Sequence, residues 1–159
     1  MQILNVGAGR SDQEYQEAEE QRRLDLRVEI RRAAGFFFVA AGLAALGTGL
    51  LPIRLNILVS IGIVDLFAFY GRGLGQLYPL AVAGMALLWV LVLVGLGFAG
   101  RSYQRWAFLA GIVIYGADMI ALVITFSFFA FAVHGVFVFM WFQGQKALKD
   151  LQEAAAQEP

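Results

Sequence analysis

The sequence predicts an all-α integral membrane protein, a bundle of four transmembrane helices with one short re-entrant or interfacial hydrophobic segment beside it. Three observations carry this. Hydrophobic residues make up 60% of the chain and its mean hydropathy is +0.69, well above the apolar share of soluble domains. Between Ala33 and Phe142 the only charged side chains are Arg54, Asp65, Arg72, Arg101, Arg105 and Asp118, with His134 added when protonated. The other charges sit in the two ends, so the central region lacks the polar outer faces that a soluble bundle needs. With 159 residues the chain forms one domain. It divides into a charged, helical tail over 1–32, a bundle over 33–144 and a short polar tail over 145–159.

In the tail, Ser11 and Glu14 have the spacing of a capping box. Acidic residues precede basic ones, which suits a helix dipole, and Glu19 and Arg23 form an i,i+4 pair. Residues 33–51 then cover roughly 28 Å as a helix, close to the hydrocarbon thickness. Gly35, Gly42 and Gly49 recur at seven-residue spacing on this span. Such a small-residue face lets another helix backbone approach, within the chain or in an oligomer. On that reading Gly42→Leu is expected to destabilise more than Ala44→Leu.

Residues 55–70 are too short for an ordinary span and carry Asp65. The glycine-rich run that follows, from Gly71 to Gly75, lacks the preceding strand and the Gly-Lys-Ser/Thr ending of a phosphate loop, and reads as a surface turn. Residues 80–100 form a clear span, with Gly95, Gly97 and Gly100 near its end. After a polar loop with Arg101 and Arg105, residues 107–142 are almost wholly apolar. As one helix they would measure roughly 54 Å, so they fold back near 125–127 into two spans.

Lys and Arg gather on the cytoplasmic side of membrane proteins. Arg22, Arg23, Arg27, Arg31 and Arg32 therefore place the N-terminus inside. Five crossing helices, the alternative, would put Arg101, Arg105, Lys146 and Lys149 outside. Four crossings, with 55–70 dipping in or lying at the interface, put all of these inside.

Asp65, Asp118 and His134 are the ionisable groups at membrane depth, beside tyrosines such as Tyr115. Burying a charge there costs at least ~2.5–3.5 kcal/mol, so these groups are candidate site residues. Tyr115 shares a helical face with Gly111, Asp118 and Leu122, and His134 shares one with Ser127 and Trp141. A turn near 125–127 brings Asp118 and His134 to similar depth and predicts that they pair. Asp65 is expected near the interface or paired with Arg54 or Arg72.

Other chemistries find no footing. There is no cysteine, one histidine cannot supply bis-histidine haem ligation, and two aspartates with one histidine make a poor metal site. No catalytic residue, metal or cofactor is expected, and GxSxG, HExxH and Walker patterns do not occur. Neutral net charge and a pI near 6.6 argue against a nucleic-acid partner.

Arg105-Trp106-Ala107-Phe108, with Gly111, Tyr115, Asp118 and later His134, is similar to a pattern in small bacterial multi-pass proteins, over roughly residues 31–145. The resemblance implies a bacterial inner membrane and no mechanism. The leading expectation is a non-enzymatic membrane subunit whose partners are the lipid bilayer and either its own copies or another membrane protein. A small transporter or channel component using an Asp118–His134 pair is the second reading, and an intramembrane enzyme the third. A water-filled cavity at the pair would favour the last two, and a dry bundle the first.

Overall fold

A computed structural model describes the backbone of residues 6–50, 75, 77–124 and 128–156. Among the described residues four helices carry the fold: α1 (Val6–Leu50), α2 (Tyr78–Arg101), α3 (Arg105–Ile124) and α4 (Phe128–Ala156). Each is long and apolar enough to cross a membrane. Segment 55–70, with Arg54, Asp65 and Arg72, lies outside the described residues.

Helix α1 is continuous for 45 residues, roughly 67 Å and about twice what a bilayer core requires. It is already helical at Val6, so Ser11 lies inside the helix and is not the N-cap of a capping box. A helix, once nucleated, gains a bond with each added residue, and no proline interrupts this stretch. The Glu19–Arg23 pair forms, at 3.6 Å. Pro79 opens α2, where its missing N–H costs nothing. Its end is a Schellman motif: Gln104 N–H donates to Ala99 O and Tyr103 N–H to Gly100 O, with Tyr103 at φ 60°. This short turn starts α3 at Arg105.

The helices run up-down-up-down. Helix α1 packs against α2 and α4, α4 also packs against α3, and the α2–α3 seam is thinner. Along α1 and α4, Arg23 meets the carbonyl of Ala154, Ala33 faces Gly144, and Phe37 stacks on Trp141. Along α1 and α2, Ala34 faces Gly100 and Phe38 faces Gly97, while Ala44 packs near Val82. Both pairs are thus antiparallel, so Leu50 and Tyr78 lie at one end of the bundle. Arg31, Arg32, Arg101, Arg105 and Lys146 collect at the other. Near that cationic end Arg101 lies over the Phe38 ring, 4.6 Å from its centre.

Among the described residues nothing packs closely on Gly35 or Gly42. A Cβ placed at Gly35 or Gly42 would meet nothing within 4 Å, and Gly49's surroundings are outside the described residues. The buried face of α1 is instead Ile30, Ala33, Ala34, Phe37, Ala40, Ala41 and Ala44. Gly42 and Ala44 are about 200° apart around the helix, so the glycines lie on the side of α1 opposite its contacts with α2 and α4. The close approaches belong to other glycines. At Gly97 a Cβ would come 2.8 Å from Phe38, at Gly111 2.5 Å from Phe37, and at Gly144 it would collide with Ala33. The described stretch after residue 144 is helical. It continues α4 to Ala156, because Ala147, Leu148 and Leu151 make an apolar stripe that packs on Leu26 and Ile30 of α1.

Candidate functional site

Helices α3 and α4 pair in a regular antiparallel register, with Phe108 against Gly144, Gly111 against Trp141 and Tyr115 against Phe137. One turn further along is Asp118 against His134. Each step advances three or four residues on both helices, which keeps all of these side chains on facing stripes.

His134 Nε2 lies 2.8 Å from Asp118 Oδ2, with Asp118 fully buried and His134 6% exposed. On its other side, His134 Nδ1 is 2.8 Å from the carbonyl oxygen of Ala130, one turn earlier on α4. A carbonyl only accepts, so Nδ1 carries a proton and donates it. With that nitrogen committed, Nε2 and Oδ2 hold one further proton between them, because two facing lone pairs at this distance would repel. The pair is therefore imidazolium with carboxylate, or imidazole with carboxylic acid, and neutral as a unit in either form. The Nε2–Oδ2 contact is short, yet Nε2 has no hydrogen-bond partner of good geometry among the described residues.

Aromatic rings sheathe the pair. Tyr115 stacks on the imidazole with centroids 4.5 Å apart, and Trp141 meets Tyr115 edge-on at 4.7 Å. Phe37 from α1 then stacks on Trp141 at 4.1 Å. Gly111 makes this stack fit: it leaves no Cβ where the rings of Phe37 and Trp141 converge. Burial among these rings lowers the local dielectric and strengthens the electrostatics of the pair. Trp141 is fully buried, and its indole N–H has no acceptor among the described residues.

The structure thus brings Asp118, His134 and Tyr115 together. Asp65 lies outside the described residues, and Gly35 and Gly42 lie away from this cluster, on the side of α1 opposite its buried face. The roles of Phe37 and Phe137 are absent from the sequence reading, since aromatic residues are frequent in any apolar span. One available signal was the face shared by Gly111, Tyr115, Asp118 and Leu122, all buried here.

No protein-family model, curated protein or solved structure matches this chain, and the reading of the site rests on its own geometry.

Proposed function

We propose that this chain is a small non-enzymatic membrane subunit, a four-span bundle acting through lateral contact with its own copies or another membrane protein. The observation that carries this is the buried, mutually paired Asp118–His134 couple. A transported proton or solute needs a wet route to its carrier, whereas this carboxylate is fully buried and aromatic rings flank the imidazole. The pair's role is structural: it locks α3 to α4 in one register while adding no net charge to the bundle.

In this reading the protein is multi-pass in a bacterial inner membrane, both termini are cytoplasmic, and segment 55–70 does not cross. Clustering of the basic residues at one end of an antiparallel bundle supports the orientation. The shared end of Leu50 and Tyr78 supports an even number of crossings. The outward Gly35 and Gly42 face supplies the lateral contact.

Two measurements test the proposal. In sealed vesicles under a pH gradient, the reconstituted protein should add no proton flux over empty vesicles. Flux that disappears in Asp118→Asn would instead favour the transporter reading. In the native membrane, a cysteine at Gly42 should cross-link to a neighbouring chain and one at buried Ala40 should not. Equal failure of both would remove the lateral contact.

A further inference from the structure

We propose that the groove between α1 and α4 at the cationic end binds the headgroup of an ethanolamine-type glycerophospholipid. The inference rests on the membrane reading above and adds a ligand to it. The groove has a volume of about 370 Å³ and is lined by Asp25, Val28, Glu29, Arg32, Ala33, Met140 and Gln143.

Its location comes first. Arg32 is the first charged residue beyond the apolar span of α1, and Ala33 faces Gly144 on α4. This level is therefore where hydrocarbon gives way to headgroups. Met140 lies one turn deeper on α4, whereas Glu29 and Asp25 lie one and two turns farther out on α1. Along the bilayer normal, from inside to outside, the groove offers a thioether and methyl groups, then a guanidinium with a side-chain amide, then two carboxylates.

An ethanolamine phospholipid presents its groups in that same order: acyl chain, phosphodiester, ammonium. Arg32 matches the phosphodiester, to which a guanidinium can donate two parallel hydrogen bonds. Glu29 and Asp25 match the ammonium, which has three N–H donors. Met140 and Ala33 lie against the upper acyl chain. Among the described residues Glu29 and Arg32 have no ion-pair partner, and Asp25 accepts only from Gln21, at 3.1 Å. All three charges thus remain available to a ligand.

Charge decides among lipid classes. Two carboxylates against one guanidinium make the lining net acidic, which disfavours an anionic glycerol headgroup. A choline headgroup has the same net charge as ethanolamine but no N–H to donate, so it loses the charge-assisted bonds to Glu29 and Asp25.

The test is native mass spectrometry of the full chain, delipidated in detergent and offered equal amounts of ethanolamine, choline and glycerol phospholipids. The ethanolamine lipid should be retained roughly tenfold over choline, the size of effect one charge-assisted hydrogen bond supplies. Asp25→Asn with Glu29→Gln should abolish that preference and leave overall lipid retention intact. Arg32→Gln should weaken retention of all three, and Glu17→Gln, outside the groove, should change nothing. Equal retention of the three lipids by the wild type would overturn the proposal, as would a preference that survives the double substitution. A chain that does not fractionate with membranes at all would instead overturn the membrane reading, so the two failures are distinguishable.

Discussion

Asp118 and His134 should be costly to remove singly and cheap to remove together. Breaking a buried ion pair leaves one polar group without its partner, at a cost of about 3–5 kcal/mol. Replacing both with apolar groups of similar size removes that penalty. Asp118→Leu and His134→Leu should therefore each lower the unfolding temperature in detergent, and the double variant should recover part of the loss. Additive losses would mean that the 2.8 Å contact contributes no coupling. Next to the pair, Gly111→Ala forces a methyl group into the Phe37 and Trp141 rings. Overpacking of this kind costs about 1–3 kcal/mol, and the loss of near-ultraviolet tryptophan dichroism would report it. The pairing itself was legible in the sequence: the 107–142 run is too long for one span, its fold-back lies near 125–127, and both residues are equally far from it. The ring stack was not, because Phe37 comes from a helix distant in sequence and no local pattern marks it as a partner of Trp141.

For helices, the informative contrast is between the two faces of α1. The glycine periodicity points to a contact face within the chain or in an oligomer, while α2 and α4 pack on the alanines of the other side. Small residues lower the barrier to close approach on either face, and the choice depends on where α2 and α4 lie. Ala44→Leu should therefore destabilise the bundle more than Gly42→Leu, the reverse of the sequence-based expectation. Thermal unfolding of the two variants in detergent decides it, and a larger loss at Gly42 would point to an oligomer contact persisting in the micelle. Where helices cross most tightly, Gly144→Ala should cost about 1–3 kcal/mol through its clash with Ala33. Gly42→Ala should be neutral or slightly stabilising in the same assay, since alanine favours helix and the site is open.

At the scale of the whole molecule, topology is the testable quantity. Because the chain has no cysteine, single cysteines report without a background. Ser102→Cys and Lys146→Cys should both react with an impermeant reagent applied from the cytoplasmic side, and neither from the other. Reaction of either from outside would refute the four-crossing arrangement. The joint packing of α1 and α4 beyond the apolar spans, from Ala33–Gly144 out to Arg23–Ala154, makes a two-helix stalk at that end. Leu26→Asp should loosen the stalk by burying a charge against Leu148 and Leu151. Faster proteolysis of the C-terminal helix, with the core of the bundle intact, would report this.

The sequence by itself determined the helical class, the four long apolar helices seen among the described residues and the proximity of Asp118 and His134. These follow from one-dimensional quantities: the length of apolar runs against bilayer thickness, the position of charges, and distance from a turn. Only the tertiary structure decided which face of α1 meets α2 and α4, which glycines sit at close helix approaches, and that α4 continues to Ala156 along α1. Those outcomes depend on how four helices share one interior, and in a chain where nearly every face is apolar, hydrophobic periodicity cannot distinguish the face that meets protein from the face that meets lipid.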